Sequence, residues 1–382
     1  MLGDIFTEEH EMFRVALRKM LEKDAYPFFD EWELHREVPR SFWRKLGENG
    51  FLCPMVNESY GGLGLDFGYS MILGEELERV GAGPASGIVL HSDIVVPYIE
   101  EYGTEEQKKK WLPKSVSGEY ISAIAMTEPG AGSDLAGIRT TARKEGEYYI
   151  LNGEKTFITN GIKADYVVVV CKTDPAANPA HRGISLIVVE NGTPGFKRGK
   201  KLNKIGMHSS DTGELIFEDA KVPVSNLLGE EGKGFYYLME KLQQERLLVA
   251  IEVQIEAEEM FRITKEYAKT RKAFNQTIAD FQNTQFKLAE MATEIDIGRN
   301  YINNLVVKHM AGQGIVKEVS MAKWWISEMA KRVAADCLQL HGGYGYMEEY
   351  EIARRFRDIP VAAIYAGTTE IMKGIIAKEI LE

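Results

Sequence analysis

Cysteine is scarce. Cys53, Cys171 and Cys337 are the only three in 382 residues, an odd number with no CxxC pair. That argues against a disulfide framework and a structural zinc site and fits a reducing cytoplasm. Basic charge is also short: 46 Lys+Arg against 57 Asp+Glu leave a formal net charge of −11. This is the wrong sign for a groove that holds nucleic-acid phosphates. No run approaches the roughly 18 apolar residues that a bilayer-spanning helix needs; the stretch at 167–171 is strand-sized. The opening MLGDIFTEEHEMFRVALRKML reads as a charged amphipathic helix rather than a signal peptide. A cytoplasmic protein without targeting, transit or membrane-inserted segment is therefore expected. His91, His208 and His341 are scattered along the chain, and no metal site is expected from them.

What is present falls into three blocks. At roughly 100–200 residues per domain the length allows two or three domains. From Thr7 to about Gly118 the periodicity is helical: Phe13, Ala16, Leu17, Met20 and Leu21 share one face, and Thr7 followed by Glu8 and Glu9 starts a helix. From Glu119 the pattern changes to short runs rich in β-branched and aromatic residues, at 120–126, 140–142, 148–151, 156–158, 166–171, 184–189 and 214–217. Asn152-Gly153 between two of these runs predicts a two-residue hairpin turn. The close spacing leaves no room for crossover helices, so the sheet is expected to be mostly antiparallel, as a barrel or sandwich. After Gly232 the chain reads as long helices, one of them with Leu288, Met291, Ala292, Ile295, Ile302 and Leu305 on one face. The expected fold class is α+β: an N-terminal helical domain at 1–120, a β domain at 121–228 and a C-terminal helical bundle at 229–382.

The stretch AMTEPGAGSDLAG at 125–137 mixes glycines with Ser and Thr, leaving backbone N–H groups and hydroxyls free for phosphate oxygens. It is not a Rossmann fingerprint. Leu135 stands where Gly or Ala is required, and the chain returns to β propensity instead of opening a helix. Taken alone, the stretch would be a β-turn.

Four further motifs accompany it in order: KTFITNG at 155–161, RKAFN at 271–275, QLHGGYG at 339–345 and IYAGTTE at 364–370. With these landmarks the whole chain resembles the acyl-CoA dehydrogenases, flavoenzymes that desaturate acyl-CoA thioesters at Cα–Cβ. LQQERLL at 242–248 and LHSDIV at 90–95 make it most similar to the long-chain branch. The resemblance implies FAD as cofactor, a homotetramer built as a dimer of dimers, and electron-transferring flavoprotein as electron acceptor. By the same resemblance Ala125, Met126, Thr127, Gly132 and Ser133 line the flavin, with Ser133 also near the substrate. Phe157 stands where many relatives carry Trp behind the isoalloxazine, beside Ile158 and Thr159. Arg271, Phe274 and Gln282 match positions that reach the FAD of a neighbouring subunit. Gln339, Leu340, His341, Gly342 and Gly343 match the loop around its adenosine part, and Thr368 and Glu370 match further flavin contacts.

Dehydrogenation needs a base for the α proton, an acceptor for the β hydride and donors for the developing enolate oxygen. Most relatives place the base in Tyr-Glu-Gly-Thr, but here the motif reads Tyr365-Ala366-Gly367-Thr368. A methyl group accepts no proton. The long-chain and isovaleryl branches carry a glutamate before an arginine on another helix, which Glu245-Arg246 matches. Glu245 is thus the expected base, with its pKa raised by desolvation. Ala366 keeps a backbone N–H for the thioester carbonyl, and Arg246, Gly367 and Ser133 are expected to touch substrate. Glu370 ranks second as base. The expected substrates are medium-to-long or branched acyl-CoAs, with residues 91–98 helping to line the end of the acyl pocket. The alternatives are a catalytically inactive acyl-CoA-binding flavoprotein, which Ala366 favours and Glu245 opposes, and an acyl-CoA oxidase using oxygen.

Overall fold

The computed structural model describes residues 5–382. Seven helices come first: α1 (Glu8–Asp24), α2 (Phe29–His35), α3 (Arg40–Glu48), α4 (Phe67–Val80), α5 (Ala82–Val89), α6 (Val96–Tyr102) and α7 (Glu105–Val116). Thr7 caps α1 as expected, its hydroxyl accepting from the His10 N–H while the His10 ring meets the Thr7 N–H. Between α5 and α6 the chain makes a π-helical turn over Leu90–Val95.

Eight strands follow: β1 (Ser122–Ala125), β2 (Thr141–Glu145), β3 (Tyr148–Thr159), β4 (Tyr166–Lys172), β5 (Ile184–Glu190), β6 (Phe196–Lys201), β7 (Thr212–Pro223) and β8 (Leu227–Leu228). Their order is β6-β7-β3-β2-β4-β5-β8, with β1 beside β4. Pairing is mostly antiparallel; β1–β4 and the single β2–β4 bridge are parallel. Along β4, Tyr166, Val168 and Val170 face the helices, whereas Val167, Val169 and Cys171 join a second core between the sheet's own layers. This alternation gives the sandwich-like character.

The hairpin expected at Asn152-Gly153 does not form. The two runs that flank it are one continuous strand, β3. Asn152 instead exchanges hydrogen bonds with Asp219 across β7, at 3.0 and 2.9 Å. The β3–β7 register shifts between Leu151 and Gly153. Gly153 is required by close approach, because a Cβ there would sit 2.4 Å from the Thr140 hydroxyl. The pair builds a bulge rather than a turn.

The C-terminal block comprises α8 (Gly234–Thr270), a small hairpin of β9 (Lys272–Ala273) and β10 (Gln276–Thr277), α9 (Gln282–Met310), α10 (Val316–His341), α11 (Glu351–Asp358) and α12 (Thr369–Leu381). The face expected on α9 is largely buried through Met291, Ile295, Ile302 and Leu305. Buried Arg355 on α11 pairs with Glu256 on α8 and donates to the carbonyls of Glu78 and Arg79 on α4, tying the two helical blocks together. All three cysteines are free and buried.

Candidate active site

The site residues gather in three places. The first is the loop after β1. Glu128 is buried and accepts from the N–H groups of Arg139 and Thr140 at 2.6 and 2.9 Å. It also pairs with the buried Lys155 ammonium at 2.9 Å. Lys155 in turn donates to the Met126 carbonyl, and Thr156 N–H donates to that of Thr127. Burial raises the Glu128 carboxyl, but the bonds from Lys155 and Thr140 outweigh it and the net pKa is lowered. The loop is thereby stapled to β3, leaving Gly132 and Ser133 exposed and Met126 and Thr127 half-buried. The side chains of Ala125 and Ile158 lie in the inner sheet core and not on this surface.

Phe157 is the residue that a core reading would misplace. It is 67% exposed and has φ 60, an outlier for a bulky side chain. It sits where the β3–β7 register shifts between Lys155 and Ile158. The bulge turns the ring out of the sheet, beside half-buried Thr159.

The second place is a cavity of about 470 Å³ lined by Tyr267, Arg271, Ile278, Gln339, Leu340, His341, Gly342, Gly343, Tyr344 and Met347. The Arg271 guanidinium lies over the Tyr344 ring at 5.1 Å, and Tyr267 stacks on His341 at 4.2 Å. Phe274 and Gln282 do not line it. Phe274 occupies the two-residue turn between β9 and β10 with Asn275, both at positive φ, and its ring is 91% exposed. Gln282 opens α9 and is exposed.

The third place joins α8, α6, α10 and the turn before α12. Glu245 is only 6% exposed. Tyr98 Oη donates to its Oε1 at 2.8 Å. Burial pushes the Glu245 carboxyl up to about 7, against the lowering effects of Tyr98, Arg246 and Lys241. Arg246 is buried and its Nε has no partner among the described residues. Ala366 has φ 50 and Gly367 φ 99, so an L-residue is held in the left-handed region where it costs about 1–3 kcal/mol. Lys323 on α10, fully buried, donates to the Gly367 carbonyl. Burial lowers the Lys323 pKa to about 8, helped by the nearby Arg246 charge, which links this turn to the Glu245-Arg246 pair. Thr368 caps α12 through the Ile371 N–H at 3.3 Å. Glu370 is exposed, its carboxyl lowered by its own backbone N–H and by Thr368.

Sequence reasoning left out the Glu128–Lys155 pair and the clamp Lys323, and it placed Tyr98 only in the segment expected to line the end of the acyl pocket. Lys323 was marked only by being a lone cation in the apolar stretch Met321-Ala322-Lys323-Trp324-Trp325-Ile326. His91 packs in the interior: it bonds Ser122 at 2.7 Å and the Ser115 carbonyl at 3.1 Å, and burial lowers its pKa to about 4.

The chain is thus a helical block, a β block carrying a loop stapled to β3, and a helical bundle enclosing a buried carboxylate. Comparison with known proteins identifies it. The acyl-CoA dehydrogenase N-terminal, middle and C-terminal domain families match residues 7–119, 123–220 and 232–381. The mitochondrial long-chain specific acyl-CoA dehydrogenase of Sus scrofa is 51% identical over 380 residues, covering 99% of this chain and 87% of that protein. The crystal structure of an acyl-CoA dehydrogenase from Geobacillus kaustophilus superposes with a TM-score of 0.98 at 68% identity, covering 99% of both chains. An acyl-CoA dehydrogenase from Bacillus anthracis complexed with FAD matches with a TM-score of 0.92 at 34% identity, over 99% of this chain and 68% of that one. The chain belongs to the acyl-CoA dehydrogenase family and is an FAD-dependent enzyme of that class.

The residues present fit that cofactor. At Gly132, Gly342 and Gly343 a Cβ would meet nothing within 4 Å, so these glycines leave space that no part of the chain fills. The exposed Phe157 ring offers an apolar face, and Arg271 offers a planar fork of donors suited to a diphosphate.

Proposed function

We propose that this enzyme oxidises medium-to-long or branched acyl-CoA thioesters to trans-2-enoyl-CoA, with Glu245 as the base. One observation carries the reading. A carboxyl buried to 6% exposure, with a pKa of about 7, lies on α8, while position 366 offers only a methyl. A base with that pKa is half ionised at neutral pH and strong enough to take a carbon-bound proton activated by a thioester. Desolvation by the surrounding protein is the main cause of the shift.

The α proton goes to Glu245, and the backbone N–H of Ala366 donates to the thioester carbonyl oxygen as it gains charge. The positive φ of Ala366 and the Lys323 bond to the Gly367 carbonyl, two peptides further on, support that role by holding the turn. Arg246, Gly367 and Ser133 flank the thioester. Met126, Thr127, Gly132, Phe157 and Thr159 line the flavin, with Ser133 near its diphosphate, joined by the backbone at Ala125 and Ile158 and by Thr368 and Glu370. Gln339 to Gly343 hold the adenosine part. FAD, when bound, supplies the acceptor for the hydride leaving Cβ.

Arg271, Phe274 and Gln282 serve the cofactor of a neighbouring subunit in a homotetramer, a reading supported by the 91% exposure of an aromatic ring at Phe274. Electrons pass on to electron-transferring flavoprotein. Among the described residues no helix is long and apolar enough to cross a membrane, and three free thiols support a reducing compartment such as the cytoplasm. The domain boundaries are placed after residues 120 and 228.

The test is Glu245→Gln in the FAD-loaded enzyme. Turnover is expected to fall by at least about 10³-fold with flavin content unchanged, whereas near-parental turnover overturns the assignment. Anaerobic bleaching of the parent's flavin by acyl-CoAs of four to eighteen carbons, straight and 3-methyl branched, defines the substrate. No bleaching by any of them supports the inactive binding protein instead, and peroxide formed in air supports an oxidase.

A further inference from the structure

Two helices that meet at Glu245 are prepared for the meeting by an irregularity in the backbone. The chain from α5 to α6 does not continue as α-helix. Val96 N–H donates five residues back, to the carbonyl of His91, as in a π-turn. One residue later Pro97 has no N–H to give, so the Asp93 carbonyl lacks its ordinary helical partner. That carbonyl is taken by the side-chain amide of Gln244 at 2.8 Å, the residue just before Glu245. The inserted residue rotates everything beyond it by about 100° relative to an unbroken helix. Tyr98 is thereby turned inward, fully buried, with its O–H on Glu245 Oε1 at 2.8 Å. Oε2 makes no hydrogen bond among the described residues.

α8 is fixed in register on its other side as well. Gln243 Oε1 accepts from Ile315 N–H at 2.8 Å, and His309 meets Gln244 at 3.3 Å. The Gln-Gln pair pins the helix, and the next residue presents its carboxylate to a phenol.

We propose that Tyr98 is the positioning residue of the base: its O–H binds Glu245 Oε1, fixes the carboxylate plane and leaves Oε2 as the oxygen directed at the substrate's α carbon. The role rests on Glu245 being the base. π-turns recur at functional sites because they re-aim a side chain while keeping the helix otherwise intact. Here the re-aimed side chain also donates to the charged form of the carboxylate, which favours ionisation against the pull of burial. The other titratable and charged groups on the packed elements are Lys241 and Arg246 on α8, Glu101 and Tyr102 on α6, Asp93 in the π-turn, His309 on α9 and Lys323 on α10. Lys241 is paired to Glu101 and Tyr102 to Glu240. Both pairs survive loss of the Tyr98 hydroxyl, so a difference between parent and variant isolates that hydroxyl.

The experiment is Tyr98→Phe in the FAD-loaded enzyme, which keeps the ring and deletes the donor. The acid limb of the kcat profile is expected to move up by about one pH unit, with activity lost at pH 7 and regained near pH 9. The same upward move is expected in an infrared titration of the Glu245 carboxyl, whose band is assigned by its loss in Glu245→Gln. Replacing Tyr98 with 3-fluorotyrosine, a stronger donor, is expected to move both downward. An unmoved limb and band in Tyr98→Phe, with Glu245→Gln inactive, overturns the role of Tyr98 and leaves the base standing. Full turnover in Glu245→Gln overturns the base and this inference with it.

Discussion

The ammonium of Lys323 on α10 donates to the carbonyl of Gly367, 44 residues away, and so holds the Gly367–Thr368 peptide, two peptides beyond the one that carries the Ala366 N–H. Its ammonium also lies 6.0 Å from the centre of the Tyr365 ring, and burial lowers its pKa to about 8. Lys323→Met keeps the length and the apolar stem and removes the donor. The expected result is a folded, FAD-loaded enzyme with kcat reduced by about 10–10²-fold, because small misplacements of a catalytic donor are that damaging. Steady-state kinetics with the best acyl-CoA measures it, and parental kcat would show that the turn holds itself.

Phe157 separates cofactor binding from stability. Its ring is 67% exposed, so Phe157→Ala is expected to leave the apoprotein's stability within about 0.5 kcal/mol of the parent. Affinity for FAD is expected to weaken about three- to tenfold, the worth of one aromatic stacking contact, and Phe157→Trp to restore it. Recovery of free-flavin fluorescence on dilution reads the affinity. Equal affinity in Phe157→Ala would place the flavin elsewhere.

Asp358 sets a pH dependence of stability. It is 3% exposed, and burial, with the charge of Glu256 adding to it, pushes its carboxyl up to about 7. In the unfolded chain such a group titrates near 4, so between about pH 4 and 7 the fold holds a proton that the unfolded chain does not. Its stabilising contribution is complete below about pH 4 and is lost as pH rises through 7. Asp358→Asn needs no proton and keeps an oxygen for the Met207 N–H that Asp358 Oδ1 now accepts. Relative to the parent, the variant is expected to gain on the order of 1–2 kcal/mol between pH 5 and pH 8 in urea denaturation. A difference that does not change with pH would show that Asp358 is ionised throughout.

The blocks of the fold were legible because periodicity is local: the i, i+3, i+4 stripes of α1 (where Ala16, expected on the buried face, is exposed) and α9 and the β-branched runs each lie within a few turns of chain. Asn152-Gly153 misled because the same dipeptide suits a tight turn and a bulge. What decided between them was Thr140 and Asp219, which local sequence cannot bring into contact. The proposed base was legible only as a paired substitution, Ala366 together with Glu245. Its environment was not: Tyr98 lies 147 residues from Glu245, and its direction depends on a π-turn that leaves no local pattern. The three β3 positions Phe157, Ile158 and Thr159 matched one motif, yet a bulge splits them between outside and core, which no alternation rule anticipates.

The cysteines are part of the same architecture. Each thiol is sealed in packed interior, and burial pushes Cys171 and Cys337 up to about 12 and Cys53 well above its ordinary value. Thiolate chemistry at these sulfurs therefore waits on the opening of the surrounding helices and sheet. The rate at which an alkylating reagent consumes them becomes a clock for structural opening in three separate layers: the N-terminal helices, the inner sheet and the α8–α10 contact. An acyl-CoA or flavin that tightens one of those layers slows its own clock and leaves the others running.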